Sequence, residues 1–294
     1  MRWIGDRESE NIEDRRGGGG MPIAVGGIGG LGAIIILFIG LFLGIDPSTL
    51  LALLSGDQAQ PQQTDTQTVD ARPSQRPEAA QDRTRQFVAV VLADTEDVWR
   101  QVFESSGKTY VEPKLVLYTG QIASACGLAS AASGPFYCPN DQKVYLDLSF
   151  FEEMRARFNA PGEFADAYVV AHEIGHHVQN SLGILKTAKS EEASSDRRGA
   201  NAISVRVELQ ADCLAGIWAH HADRTKHIIE QGDVEAAMNA ASAVGDDRLQ
   251  RQSRGTVVPD SFTHGSSAQR VRWFKLGLES GDTRQCDTFA ANEP

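Results

Sequence analysis

Cysteine is scarce in this chain of 294 residues, and no two cysteines are spaced as C-x-x-C. That spacing excludes a zinc ribbon and a thioredoxin-like redox motif. Long runs of basic residues are also absent. Lysine and arginine total 28 against 39 acidic residues, which gives a net charge of -11. Nucleic acid is therefore not expected to be the main partner of this acidic chain.

No internal repeat is visible, and the length suits one domain of moderate size with appendages. Residues 1–20 are rich in charge and glycine, which predicts a disordered cytoplasmic tail. Residues 21–45 contain no charged residue, and this run is long enough for one transmembrane helix. A cleaved signal peptide is disfavoured because the run starts late and lacks a small-x-small cleavage site.

The distribution of basic residues predicts the orientation of this helix. Four arginines precede the apolar run, and the next basic residue along the chain is Arg72. The positive-inside rule then predicts a single-pass protein of the inner membrane, with a cytoplasmic N-terminus and a periplasmic C-terminal domain. Residues 55–84 are dominated by Gln, Pro, Thr and Asp, so we expect a flexible linker over 46–84 and the folded domain over 85–294.

Apolar periodicity within 85–294 predicts an α+β domain that is mainly helical and has a small β-sheet. Strands are expected at 114–119 and 143–148, and the second strand is our candidate for a sheet edge that pairs with an extended substrate. Residues 187–200 are open to two interpretations, a loop or the solvated start of a helix. The expected helices cover residues 87–103, 150–158, 163–186, 202–221, 233–244, 246–254 and 266–278.

The helix at 163–186 carries the motif His172-Glu173-x-x-His176. Histidines four apart lie on one face of a helix, one turn from each other. Two such imidazoles can hold one Zn²⁺, and the adjacent glutamate can take a proton from the metal-bound water. Ordinary helices also contain this short pattern by chance, so the prediction needs a third ligand from elsewhere in the chain.

A catalytic zinc takes three protein ligands and leaves one position open for water. The metzincin pattern is excluded because Leu182 stands where its third histidine would be. Glu208 and Asp212 are four apart in an otherwise apolar helix, and burying carboxylates without partners is costly. We therefore predict that Glu208 is the third ligand and that Asp212 accepts the second ring N–H of a liganding histidine. The alternative is a helix with two solvated acids.

Several motifs carry a resemblance to known families. The segments AHEIGHHVQN, VELQADCLAGIWA and SFTHGSSAQRVRWF resemble, in this order, the bacterial neutral zinc metallopeptidase family, whose members are single-span membrane proteins. H-E-x-x-H followed by E-x-x-x-D is similar to the gluzincins, which implies a zincin-like fold. More distant membrane-bound gluzincins have a later Thr-His-Pro segment. That likeness implies that His264 stabilises the oxyanion and that Arg270 pairs with an active-site acid.

This chain departs from the Thr-His-Pro segment, because Gly265 stands in place of the proline. The alternative interpretation of His264 is a loop histidine. His177 follows a predicted ligand directly and points about 100° away from it, so we interpret it as structural.

These observations predict a membrane-anchored zinc endopeptidase that acts on a peptide or protein substrate, with Glu173 as general base. One alternative is a non-hydrolytic, membrane-tethered scaffold on the same fold, and another is a zinc hydrolase that acts on a different amide. A scaffold does not need a general base, so the intact Glu173 favours an enzyme. The sequence does not predict the oligomeric state.

The four cysteines allow three disulfide pairings, and disulfides persist outside the cytoplasm. Cys126 and Cys138 enclose a short glycine-containing loop, so this pairing is favoured, and it leaves Cys213 to pair with Cys286. The alternative is four buried thiols.

Overall fold

The computed structural model describes residues 1–16, 76–157, 162–292 and 294. Met1–Gly17 and Pro77–Pro294 form one compact unit. Its strands are β1 (Ile12–Asp14), β2 (Lys114–Tyr118), β3 (Gln121–Ser124), β4 (Gly127–Ser130), β5 (Phe136–Cys138) and β6 (Lys143–Asp147). Its α-helices are α1 (Arg76–Ser105), α2 (Ser149–Arg157), α3 (Glu163–Ser181), α4 (Ile184–Ser194), α5 (Arg197–Lys226), α6 (Asp233–Ala243), α7 (Asp246–Arg254) and α8 (Ser267–Ser280).

The main sheet has the strand order β1-β2-β6-β5. Strands β1, β2 and β6 are parallel, and β5 runs antiparallel to β6. Both β2 and β6 are apolar and almost wholly buried, as is typical of parallel strands covered on both faces. The prediction that the strand at 143–148 is a sheet edge is wrong, because β6 lies between β2 and β5. Strand β5 forms the edge on that side instead.

Three helices approach one another closely beside the sheet. A Cβ atom built on Gly277 of α8 would lie 2.0 Å from the carbonyl oxygen of Cys213 on α5, and one built on Gly216 would lie 2.1 Å from that of Phe274. On α3, a Cβ atom at Gly175 would lie 3.0 Å from the carbonyl oxygen of Ala211. Glycine at these positions brings the backbones of α3, α5 and α8 together, so side chains from all three helices can meet.

Residues 1–16 pack on the domain and do not form the disordered tail predicted for 1–20. Trp3 is buried, contacts Phe87 edge-to-face at 5.4 Å and donates to Glu163 at 2.8 Å. Arg7 donates to the buried carboxylate of Glu96 on α1, and β1 pairs with β2. The composition suggested disorder because charge is dense in this segment. Several of those charges have partners elsewhere in the domain, on α1 and on the strands β2 and β6, and the tryptophan supplies an apolar anchor.

No helix in residues 1–16, 76–157 or 162–292 is long and apolar enough to cross a membrane. The transmembrane helix predicted at 21–45 lies outside the described residues, as do residues 46–75 of the predicted linker. The prediction that a transmembrane helix precedes the domain is wrong, and so is the predicted single-pass, periplasmic localisation. Strand β1, before the apolar run, pairs with β2, after it, whereas a single crossing would separate these two strands.

Within the domain, the mainly helical fold with a small sheet agrees with the prediction. Helix α1 begins at Arg76 and not near residue 85, and α3 ends at Ser181. The ambiguous stretch 187–200 is largely helical, and Asp196 caps the start of α5 by accepting from the Gly199 N–H at 2.8 Å. The favoured disulfide pairing is confirmed, since bonds join Cys126 to Cys138 and Cys213 to Cys286.

Candidate metal centre

Three predicted ligands face one another between α3 and α5. His172 Nε2 lies 3.2 Å from Glu208 Oε2, and His176 Nε2 lies 3.5 Å from Glu208 Oε1. Tetrahedral ligands placed roughly 2.0–2.1 Å from a zinc ion are about 3.3 Å apart. The observed separations therefore fit a zinc ion held by these three residues. In the described part of the chain, this is the one group of at least three His, Cys, Asp or Glu side chains whose ligand atoms lie within 4.8 Å of one another.

Hydrogen bonds on the far side of each imidazole orient the two histidines. His172 Nδ1 lies 2.9 Å from Asp212 Oδ1, and His176 Nδ1 lies 2.9 Å from Gln179 Oε1. Carboxylate and amide oxygens only accept, so both Nδ1 atoms donate, and Nε2 is the atom through which each ring would bind a metal in place of a proton. Tyr168 also donates its hydroxyl to Asp212 Oδ1.

Arg270 occupies the remaining side of the Asp212 carboxylate. Its Nε lies 2.8 Å from Oδ2 and its Nη2 lies 2.9 Å from Oδ1. Burial acts to raise the pKa of Asp212, but the charges of Arg270 and His172 outweigh it and lower that pKa. Asp212 is thus an ionised group enclosed by donors from α3 and α8, which is the pairing with an active-site acid predicted for Arg270.

The charges of the cluster favour a cation at its centre. Burial acts to lower the pKa of His172, but the carboxylates of Asp212 and Glu208 raise it to about 10. Burial acts to raise the pKa of Glu208, yet the neighbouring His176 and His172 lower it. Two carboxylates therefore enclose one imidazole. A proton on His172 balances their charge, and a zinc ion would take the place of that proton.

The three predicted ligands line a pocket of about 480 Å³. Glu173 and His264 line the same pocket. The Glu173 carboxylate makes no hydrogen bond or ion pair with any other described residue, so it is available to a substrate or water. Much of the remaining wall is apolar and is formed by Pro135, Phe136, Tyr137, Pro139, Phe150, Val169, Leu185 and Val244.

Asp246 fixes the loop that carries His264. Its Oδ2 accepts from the backbone N–H groups of Thr263, His264 and Gly265, at 2.7, 2.6 and 3.1 Å. A hydrogen bond from the His264 ring to the Asp246 carboxylate raises the pKa of His264. Gly265 has a φ of 88°, and proline cannot adopt this value because its ring fixes φ near −65°. The loop therefore requires glycine where the Thr-His-Pro segment has proline.

The sequence matches a known family over almost its full length. Residues 1–289 match the model of the family described as "Putative neutral zinc metallopeptidase". The chain belongs to this family. Membership in the neutral zinc metallopeptidases makes it a zinc peptidase at the family level, and the site formed by His172, His176 and Glu208 is compatible with that metal.

Two bacterial relatives of this chain are both described as uncharacterized, so neither indicates a substrate. The uncharacterized protein YpfJ of Escherichia coli K12 is 48% identical over 294 residues, which cover 98% of this chain and 99% of YpfJ. The uncharacterized protein Rv2575 of Mycobacterium tuberculosis H37Rv is 44% identical over 204 residues, 66% of this chain and 67% of Rv2575. No solved structure matches the chain significantly. The substrate must therefore be argued from the site itself.

Two site residues escaped the sequence analysis although a signal existed. Tyr168 precedes His172 by one helical turn, and Gln179 follows His176 by nearly one turn. Side chains at these spacings share a helix face, so both were detectable as neighbours of the ligands. Phe136 and Tyr137 had no comparable signal, because β5 has only three residues and follows a stretch rich in Gly, Ala and Ser.

Proposed function

We propose that this protein is a zinc-dependent endopeptidase, with His172, His176 and Glu208 as the metal ligands and Glu173 as the general base. One observation carries the proposal: His172, His176 and Glu208 offer ligand atoms that all lie within 4.8 Å of one another, in a pocket that is also lined by Glu173, a carboxylate with no other partner among the described residues. When bound there, zinc would lower the pKa of a coordinated water to about 7 and polarise the peptide carbonyl.

Glu173 would take the proton from the attacking water and pass it to the leaving amine. This role needs a carboxylate that reaches the pocket and is not tied up elsewhere, and Glu173 meets both conditions among the described residues. The role also distinguishes an enzyme from a scaffold on the same fold, since a scaffold gains nothing from such a group.

His264 would stabilise the oxyanion that forms when water attacks the carbonyl. Its Nδ1 lies 3.4 Å from Asp246 Oδ1, a carboxylate that favours the protonated ring, and in that form the Nε2 N–H would be free to donate. Arg270 would act through Asp212, because it contacts the carboxylate that orients His172. Arg270 is then a positioning residue for the metal ligand.

Strand β5 is the edge along which an extended peptide would pair. It pairs with β6 on one side, and Phe136 and Tyr137 line the pocket. A second hollow, lined by Asn140, Asn180, Lys186 and Lys189, shares Pro139 and Leu185 with the first. The cleft thus continues past the catalytic pocket, which suits an internal peptide bond better than a chain terminus.

The decisive experiment compares the full-length wild-type chain with Glu173→Gln on a peptide library, with zinc quantified in both. We expect about one zinc per chain in each protein, and cleavage by the wild type that falls by a factor of about 10²–10⁴ in the variant. Bound zinc without cleavage by either protein would favour the scaffold, and absence of zinc would refute the site. The full chain is needed because residues 1–16 are part of the fold.

A further inference from the structure

We propose that His177, next to the ligand His176, is a positioning residue that holds strand β5 at its working distance from the metal site. The inference rests on the proposed function, because it assigns to β5 the pairing with a peptide substrate. Of two consecutive residues of α3, His176 would then bind the metal and His177 would hold the strand that pairs with the substrate. Neighbouring residues of a helix point about 100° apart, so His176 can face Glu208 while His177 faces β5.

The hydrogen bonds of His177 have a fixed direction. Its Nε2 lies 2.7 Å from the carbonyl oxygen of Val111, and a carbonyl only accepts, so Nε2 carries the proton. In the neutral ring Nδ1 is then an acceptor, and the Tyr137 hydroxyl at 3.0 Å must donate to it. That hydroxyl accepts in turn from Asn180 Nδ2 at 2.9 Å. A one-way chain therefore runs from Asn180 through Tyr137 and His177 to Val111.

The central bond of this chain, between Tyr137 and His177, is buried, whereas the bonds at its Asn180 and Val111 ends are partly exposed. His177 is 1% exposed, and the rings of Tyr110 and Tyr137 contact it edge-on at 5.6 and 5.4 Å. Solvent has little access to the His177 ring, so loss of the Tyr137 hydroxyl leaves its Nδ1 without a partner. The Tyr137 hydroxyl is consequently fixed relative to α3.

Tyr137 is the middle residue of β5, and Phe136 beside it stacks on Tyr145 of β6 at 4.8 Å. The strand has three residues and pairs on one side with β6. The disulfide at Cys138 anchors one end, whereas the Tyr137 side chain links the centre of the strand directly to the helix that carries the ligands. The distance between β5 and the ligands decides where a paired peptide places its scissile bond, and small displacements there cost binding and rate.

Tyr110 provides a matched control for Tyr137. Its ring also contacts His177, but its buried hydroxyl has no hydrogen-bond partner among the residues that the structure describes. Tyr110→Phe and Tyr137→Phe thus each remove one buried hydroxyl beside the same histidine, and only the second breaks the chain of bonds. His177→Asn keeps an acceptor near the position of Nδ1, whereas His177→Phe fills the volume and removes both bonds.

The test is the steady-state kinetics of zinc-loaded variants on a long peptide and on a short blocked substrate that spans only the scissile bond. For Tyr137→Phe we expect KM for the long peptide to rise about five- to tenfold, which corresponds to the free energy of roughly one buried hydrogen bond. We expect zinc content to stay near wild type, and activity on the short substrate to fall much less than activity on the long peptide. Tyr110→Phe should match wild type, and His177→Asn should recover part of the loss seen in His177→Phe.

A merely structural role would instead lower Tm and reduce activity equally on both substrates, and that result would overturn the proposal. Unchanged KM in Tyr137→Phe would also overturn it. Failure of the proposed function would look different, as absence of cleavage by the wild type. In that case, hydrogen exchange at the backbone amides of residues 136–138 tests the positioning role by itself. Faster exchange in Tyr137→Phe but not in Tyr110→Phe upholds the positioning role, and equal exchange refutes it.

Discussion

Asp212 and Arg270 form a buried two-point ion pair, with 2.8 Å between Oδ2 and Nε and 2.9 Å between Oδ1 and Nη2. The pair joins α5 to α8 directly behind the His172 ring. Removing one partner of a buried pair leaves an uncompensated charge, which costs about 3–5 kcal/mol. We expect Arg270→Met to lower the unfolding free energy by about this amount, as measured by urea denaturation.

The double variant Asp212→Asn/Arg270→Met is the control for this prediction. It removes both charges, so it should be more stable than Arg270→Met alone, although its zinc affinity should be weaker because His172 loses an ionised acceptor. A cost of under about 1 kcal/mol for Arg270→Met would show that solvent reaches the pair.

Gln179 orients the second histidine, and its replacement should weaken metal binding. Gln179→Leu removes the oxygen that accepts from His176 Nδ1 and frees the ring to rotate. Loss of such a partner typically costs 10–100-fold in metal affinity. We expect a decrease of that size in competition titrations against a chelator. Gln210→Leu is the matched control, since it removes a buried amide that contacts Gln179 but not the ring, and it should retain most of the affinity.

Gly277 should not tolerate alanine, although alanine is the better helix former. In an exposed helix interior, Gly→Ala stabilises by about 1 kcal/mol. Here the added methyl group would lie 2.0 Å from the Cys213 carbonyl oxygen, so α8 must move away from α5. We expect Gly277→Ala to lower Tm and to weaken zinc binding, because Arg270 moves with α8. An increase in Tm would contradict the close approach of these helices.

Asp166 should make stability depend on pH. Burial raises its pKa to about 7, although Arg155 opposes the rise. Its Oδ1 is buried and has no hydrogen-bond partner in the described part of the chain, as suits a protonated acid, whereas Oδ2 lies 2.6 Å from Arg155. An aspartate in an unfolded chain has a pKa of about 3.9, so the folded state binds the proton more tightly. The resulting stabilisation is complete below about pH 4 and is lost as pH rises through about 7.

The difference between these pKa values corresponds to at most about 4 kcal/mol of unfolding free energy. We therefore expect the unfolding free energy of the wild type to fall between about pH 4 and 7. Asp166→Asn should flatten this part of the profile and be more stable than the wild type above pH 7. Asp260→Asn, at an exposed aspartate, should leave the profile unchanged. A wild-type profile that is flat over this range would show that Arg155 keeps Asp166 ionised.

The clustering of the predicted ligands could be foreseen because its signal is local. Two pairs share a helical spacing, since His176 follows His172 by four residues and Asp212 follows Glu208 by four. An acid in an apolar helix also needs a partner wherever that helix packs. The meeting of the two helices was not visible in the spacing alone. It depends on glycine at position 175, where the backbone of Ala211 approaches.

The role of the first 16 residues could not be predicted in this way. Ile12 pairs with Leu115, about a hundred residues further along the chain, and no local pattern in a charged, three-residue strand indicates its partner. Composition alone predicted disorder there. The long apolar run at 21–45 then suggested a single membrane crossing between β1 and β2, and the pairing of these two strands contradicts it. Tertiary pairing over such a separation is not encoded in any short window of sequence.

The placement of β1 beside β2 has a practical consequence for work on this protein. A shortened version that begins near residue 85 would lose β1 and leave the N–H and C=O groups of β2 open along one edge. Exposed edges of buried, apolar strands recruit other chains and aggregate. Such a fragment would also lack Trp3, which would leave a void beside Phe87. Inactivity of that fragment would therefore report damaged folding and not absent catalysis.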